Sequence, residues 1–325
     1  MKMAILGAGG IAVKMSDTLK GLESVERYAI GSRDLKKAER FADEHGFTKA
    51  YGSYEEMLAD DSIDLVYIAV PHSHHEEWTV KALNAGRNVL CEKPMAVNEG
   101  QVRNMCSLAK EKGLLLAEAM WTRYMPSRKL IDDVIKSGMI GEVKTVSANL
   151  GYVINEKDRI KKPELAGGAL LDLSVYNLNF ASMVLGDDIK EIHAGCIMTE
   201  TGVDGQNSIM IEYNNGCMAS MYATIYSLTD RMGYISGTKG IIRVQNINNP
   251  EKITVFSPDR DGPKVIKEIE IPEQITGYEY EVLACERALK EGATECVEMP
   301  HAATIEITRQ MDMIRKQFGL KYPFE

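Results

Sequence analysis

Three clusters in this 325-residue sequence combine residue types and spacings suited to chemistry. The first is the turn Gly7-Ala8-Gly9-Gly10-Ile11-Ala12, a G-x-G-x-x-A pattern lying between an apolar run and an amphipathic one. In such a turn the first glycine permits the tight bend and the second lets the backbone approach a pyrophosphate. The alanine keeps the helix close to its strand, and the free N–H groups at the helix start face the phosphates of a dinucleotide. The second cluster is Gly31-Ser32-Arg33, at the end of the next apolar run. An acidic residue there would hold the ribose 2′-hydroxyl of NAD, whereas a hydroxyl and a guanidinium suit a 2′-phosphate. Lys37, one helical turn on, adds a second positive charge, and Asp34 reads as the N-cap of a helix beginning at Leu35. NADP(H) is the expected cofactor, with NAD(H) as the alternative.

The third cluster is split along the chain. Cys91-Glu92-Lys93-Pro94 follows an apolar run, and a lysine at the carboxyl end of a parallel strand sits where ligands bind in open α/β sheets. Its ammonium can hydrogen-bond a reacting oxygen. Much later, Asp172 and Tyr176 are four residues apart and Asn179 three further, which puts all three on one helix face. A free tyrosine has a pKa of about 10, so a tyrosine base needs a nearby cation to favour its phenolate. The run Pro71-His72-Ser73-His74-His75 lacks an accompanying carboxylate or thiolate set, and the six cysteines contain no C-x-x-C pair. No metal site is expected, and the thiols read as reduced and mostly buried.

The elements that must hold these groups follow from hydrophobic periodicity. Lys2–Leu6, Arg27–Gly31, Leu65–Ala69, Asn88–Leu90 and Leu114–Ala117 read as strands, with a short extra one near Ala50. Ile11–Leu22, Leu35–His45, His75–Ala85 and Glu99–Lys112 read as the helices between them. This alternation predicts an α/β fold whose N-terminal part is a Rossmann-type, doubly wound parallel sheet of six strands. After Trp121 the pattern changes to helices at Ser127–Ser137, Gly168–Leu185, Glu279–Lys290 and Ala302–Phe318, with strand candidates Val143–Asn149, Ser208–Tyr213 and Cys217–Thr224. That texture predicts a C-terminal α+β domain with a large, mostly antiparallel sheet. The expected division is residues 1–120 for the dinucleotide and 121–325 for substrate and oligomerisation.

Composition narrows the partners. A net charge of −9 gives no basic surface to drive counterion release, so nucleic acid is not expected. No apolar run approaches the roughly 20 residues of a bilayer span, and the N-terminus passes straight into a strand without room for a signal peptide. A cytoplasmic location and a small-molecule substrate are the expectation.

The glycine turn, Glu92-Lys93-Pro94 and Gly167-Gly168-Ala169-Leu170-Leu171-Asp172, in this order, resemble the Gfo/Idh/MocA oxidoreductases. The resemblance covers essentially the whole chain. Ala119-Met120-Trp121-Thr122-Arg123-Tyr124, Thr201-Gly202-Val203-Asp204 and Ser236-Gly237-Thr238-Lys239-Gly240 sharpen it toward the dimeric dihydrodiol dehydrogenase branch, which includes NADP-dependent xylose dehydrogenases. It implies hydride transfer between a nicotinamide and a secondary alcohol or carbonyl of a sugar, polyol or vicinal diol. By the same resemblance Lys93 faces nicotinamide and substrate, Glu92, Pro71 and His75 lie on the cofactor side, and Trp121 walls the pocket. Most of the family carries histidine where this chain has Tyr176, as the dihydrodiol branch does. Either Tyr176 accepts the proton with Lys93 as electrostatic partner and Asp172 orienting, or Lys93 is itself the base. Asn179 replaces an acidic residue of many sugar-oxidising relatives, so its substrate contact differs from theirs. A homodimer or higher homo-oligomer is implied. The competing functions are an NAD(P)-binding regulator without turnover and an NAD-dependent glycosidase of the same fold; Ser32-Arg33 argues against the glycosidase, and Lys93, Asp172 and Tyr176 argue against the regulator.

Overall fold

The apolar runs of the first third form short strands buried on both faces, as the four residues of Leu65–Ile68 illustrate. In a computed structural model describing residues 1–259 and 261–325, these strands are β1 (Lys2–Leu6), β2 (Glu26–Gly31), β3 (Lys49–Tyr51), β4 (Leu65–Ile68), β5 (Asn88–Glu92) and β6 (Leu116–Ala119). They are interleaved with α1 (Gly10–Lys20), α2 (Leu35–His45), α3 (Tyr54–Leu58), α4 (His75–Asn84) and α5 (Glu99–Lys112). The sheet order is β3-β2-β1-β4-β5-β6 and every pairing is parallel. This is the doubly wound arrangement in which ligands bind at the carboxyl ends of the strands. Val66, Ile68, Val89, Met105 and Leu116 belong to its core, and each such side chain contributes roughly 1.5–3 kcal/mol on burial.

The second sheet has eight strands, ordered β14-β13-β12-β11-β7-β10-β9-β8. Its members are β7 (Val143–Gly151), β8 (Ile189–Met198), β9 (Asp204–Tyr213), β10 (Met218–Thr224), β11 (Gly233–Gly237), β12 (Ile241–Gln245), β13 (Lys252–Ser257) and β14 (Lys264–Glu270). All pairs are antiparallel except β7 with β10. Ahead of the sheet runs α6 (Pro126–Lys136), and between β7 and β8 come α7 (Asp158–Lys161) and α8 (Val175–Leu185). Helix α8 buries its first eight residues and packs against β7 and β10. Phe180 of α8 sits so close to β11 that a Cβ on Gly233 would lie 2.6 Å from its ring.

Two findings modify the expected organisation. The chain divides into Met1–Tyr124 with Gln274–Ile305, and Met125–Glu273 with Glu306–Glu325, whereas the sequence suggested a single cut at residue 120. The returning segment, which carries α9 (Glu279–Glu291) and the first residues of α10 (His301–Phe318), is drawn back by the edge strand β6. Thr294 O accepts from Leu116 N at 3.1 Å and His301 Nε2 meets Leu116 O at 2.8 Å, which pairs backbone groups that an edge strand would otherwise leave open. Secondly, the helical stretch Pro163–Leu185 is long and apolar enough by composition to span a bilayer, contrary to the expectation that no such run exists. In this fold 83% of its apolar window is buried, so it is a core helix of the second unit.

Candidate functional site

In the first unit the glycine turn has the form a dinucleotide requires. Gly7 adopts φ +113°, and a Cβ there would lie 2.7 Å from Ala69 O, so only glycine fits. Its N–H donates to Gly31 O at 3.0 Å, tying the turn to the end of β2. Gly9 and Gly10 are exposed, and Cβ atoms built on them meet nothing within 4 Å. The protein itself does not demand glycine at these two positions; a backbone approached closely by a ligand does. Gly9 caps α1 without a side chain, no acidic residue lies in the first helical turn, and half-buried Ile11 follows, leaving the helix start suited to an anion. At the end of β2, Asp34 accepts from Lys37 N at 3.3 Å, which establishes it as the N-cap of α2. Ser32 Oγ accepts from Asp34 N at 3.3 Å, while the side chains of Arg33 and Lys37 are exposed. The residues present fit a dinucleotide.

The segment carrying Lys93 is held from all sides. Glu92 accepts from the Tyr67 hydroxyl in a short hydrogen bond and from Lys93 N at 3.1 Å. Tyr67 is fully buried; burial, and then the Glu92 charge, hold its phenol well above the ordinary range, so it stays a donor. His75 is fully buried too, with Nδ1 2.8 Å from Pro94 O and Nε2 2.9 Å from Val70 O. Burial pulls this imidazole down to about 4, outweighing the two carbonyls that favour the charged ring. Met95 N donates to the buried Glu118 at 2.9 Å. The Glu92 carboxylate and both ring nitrogens of His75 are thus engaged with the backbone and side chains around the Lys93-Pro94 segment, whose peptide bond is cis. Half-buried Pro71 begins the loop that leads into α4. Trp121 stacks on Tyr278 at 4.2 Å and is 6% exposed, so most of its surface is used in packing.

In the second unit, Asp172 and Tyr176 lie on a helix that starts as a π-helical turn, Leu170–Ser174, before continuing as α8. π turns widen a helix and recur at functional sites. Gly168 (φ +114°) enters this turn, and a Cβ there would fall 2.3 Å from Asp204 Oδ1. Asp204 Oδ2 accepts from Leu170 N and from Asn207 Nδ2, both at 2.8 Å, and Asn207 Oδ1 accepts from Ser174 Oγ at 2.7 Å. Burial raises the Asp204 carboxyl to about 7. The Tyr322 hydroxyl donates to Gly167 O at 2.7 Å. Asp172 is 4% exposed and pairs with Arg159 Nη1 at 2.6 Å; Tyr176 is 7% exposed. Asn179 is wholly buried and its Nδ2 donates back to Val175 O at 2.8 Å.

Sequence reasoning missed Tyr67 and Arg159 as site residues and gave no role to Asp204 beyond its motif. Arg159 lies in Lys157-Asp158-Arg159-Ile160-Lys161-Lys162, a string that reads as a solvated face. Only the Thr201–Asp204 motif signalled the anchor of the π turn.

Residues 1–120 match the model described as an oxidoreductase family with an NAD-binding Rossmann fold, and residues 129–243 match the GFO/IDH/MocA C-terminal domain. The chain is 33% identical to trans-1,2-dihydrobenzene-1,2-diol dehydrogenase of Mus musculus over 99% of its length and 98% of the relative's. The Xenopus tropicalis enzyme of the same name is 34% identical over 99% of each chain. Among solved structures, a 3-ketoreductase from Actinomadura kijaniata in complex with NADP and TDP-benzene superposes with TM-score 0.88 at 24% identity, covering 98% of both chains. A levoglucosan dehydrogenase in complex with NADH and levoglucosan gives 0.88 at 19%, covering 98% of this chain and 97% of that one. At these identities the two structures speak for the fold, while the full-length likeness to the diol dehydrogenases identifies the chain as a member of the Gfo/Idh/MocA family of oxidoreductases.

Proposed function

We propose that this protein is an NADP(H)-preferring dehydrogenase that interconverts a secondary alcohol and a carbonyl on a sugar, polyol or vicinal diol. The observation that carries the reading is the full-length identity to trans-1,2-dihydrobenzene-1,2-diol dehydrogenases. Gly9, Gly10 and the start of α1 would hold the pyrophosphate, and Ser32, Arg33 and Lys37 the 2′-phosphate. When bound, the nicotinamide supplies the carbon that takes or gives hydride. Tyr176 accepts the alcohol proton in the oxidative direction, Asp172 orients the reacting group, and Lys93 contributes positive charge to the reaction, its segment held in place by Glu92 and His75. The exposed face of the second sheet, where Met218, Tyr222 and Tyr234 alternate with Ser147 and Ser220, supports a homodimer formed through that face.

The test is turnover of trans-1,2-diols, aldoses and inositols with NADP⁺ and with NAD⁺, followed at the absorbance of the reduced cofactor. Reduction of NADP⁺ by at least one class is expected. Tightly held NAD(H) that does not exchange, or cofactor binding without turnover of any class, would overturn the proposal.

A further inference from the structure

We propose that Arg159 is a positioning residue that holds the Asp172 carboxylate in its working orientation; the inference rests on Asp172 serving the reaction as read above. The Arg159 Nη1 lies 2.6 Å from Asp172 Oδ1, and the pair is asymmetric: the arginine side chain is 46% exposed and the aspartate 5%. The neighbouring cations behave differently. Lys162 pairs with exposed Asp158 at 2.8 Å and Lys161 with exposed Glu156 at 3.8 Å, contacts of the kind that contribute little. Arg159 alone of these three turns inward to a buried carboxylate.

The location of Arg159 does not depend on that ion pair. Ile160, on the same single turn of helix, is fully buried, and its carbonyl accepts from Gly168 N at 2.8 Å. Lys162 O accepts from Gly167 N at 3.2 Å, and Thr201 Oγ1 donates to Lys161 O. A Cβ on Gly167 would fall 2.2 Å from Ile160 O, so α7 lies directly against the turn that opens the π helix. The backbone carries the guanidinium to Asp172, and the contact fixes a side chain four residues before Tyr176 on the same helix. Removing the guanidinium takes away the cation paired with this buried carboxylate, which is expected to loosen its orientation rather than the fold.

The experiment compares wild type, Arg159→Ala, Arg159→Lys, Asp172→Asn and the double variant Arg159→Ala/Asp172→Asn, using one accepted diol or sugar and NADP⁺. In Arg159→Ala, kcat is expected to fall roughly 10- to 100-fold, the range for losing one charge-assisted hydrogen bond. NADP⁺ affinity and thermal unfolding should stay near wild type. Guanidinium ion at millimolar concentration should restore part of the rate to Arg159→Ala and none to Asp172→Asn, while Arg159→Lys should fall in between. The double variant should be no slower than Asp172→Asn, because Arg159 acts through Asp172. Additive losses, or a normal kcat in Arg159→Ala while Asp172→Asn is slow, would overturn the positioning role and leave the proposed reaction intact. A normal kcat in Asp172→Asn would instead remove Asp172 from the reaction and this inference with it. Arg159→Ala folding poorly with no rescue by guanidinium and no recovery in Arg159→Lys would mark the contact as structural only.

Discussion

An ordinary phenol holds its proton until about pH 10, so a tyrosine that works as a base must be replaceable by phenylalanine without harm to the fold and with heavy loss of rate. Tyr176 is 7% exposed on a helix whose neighbours are buried, and its ring is part of the packing. Tyr176→Phe keeps that packing and removes one oxygen. Turnover should fall by about 10²–10⁴ with NADP⁺ binding barely changed, and the rise of wild-type oxidation with pH should disappear from the kcat profile. Steady-state kinetics across pH checks this, and a near-normal kcat with the pH dependence intact would transfer the proton to Lys93. A second residue-scale expectation concerns Arg33, exposed at the end of β2 beside Ser32. Arg33→Ala should weaken NADP⁺ binding by about 1.5–3 kcal/mol, the range for a hydrogen bond to a charged group, and leave NAD⁺ binding nearly unchanged. Titration of both cofactors by fluorescence decides it, and equal wild-type affinities would end the assignment of a 2′-phosphate site.

The helix bearing Asp172 and Tyr176 begins where Asp204, fully buried, accepts from Leu170 N at 2.8 Å. Its carboxyl is raised from 3.8 to about 7 by burial, so the folded state binds this proton more tightly than the unfolded chain. The stabilisation is therefore complete below about pH 4 and is lost as pH rises through about 7, with a slope of at most about 1.4 kcal/mol per pH unit for the one proton. Asp204→Asn keeps an acceptor for Leu170 N and cannot ionise. Denaturant unfolding of both proteins between pH 4 and 8 should show a difference in stability that moves in favour of the variant as pH rises; a constant difference would mean that Asp204 does not titrate there. The local signals of such elements were legible: the glycine turn, the Asp34 cap and the limits of α2 and α5 are as the sequence indicated, since each depends on residues within a few positions. Arg159, Tyr67 and Asp204 were not, because their partners lie 13, 25 and 34 residues away.

On the scale of the whole molecule, the outward face of the second sheet leaves Met218 and Tyr222 about two-fifths or more exposed. Between them stands Ser220, with Ser208 and Met210 opposite on β9, a surface of large side chains separated by small ones that suits a second copy. Sedimentation should give a dimer, and Met218→Glu with Tyr222→Asp should yield monomers with the fold preserved by circular dichroism; a wild-type monomer at micromolar concentration would remove the dimer from the reading. The sequence by itself determined the two kinds of sheet, the dinucleotide turn and the family, because strand alternation, helix periodicity and turn chemistry are set by neighbours along the chain. Tertiary structure alone decided which distant groups these polar side chains engage inside the protein. It turned Glu92, His75 and Asn179 inward, brought Arg159 to Asp172, and returned Gln274–Ile305 to the edge of the first sheet. The reason is that a buried donor, acceptor or charge must find a partner wherever the fold provides one, and the distance along the chain to that partner leaves no local mark.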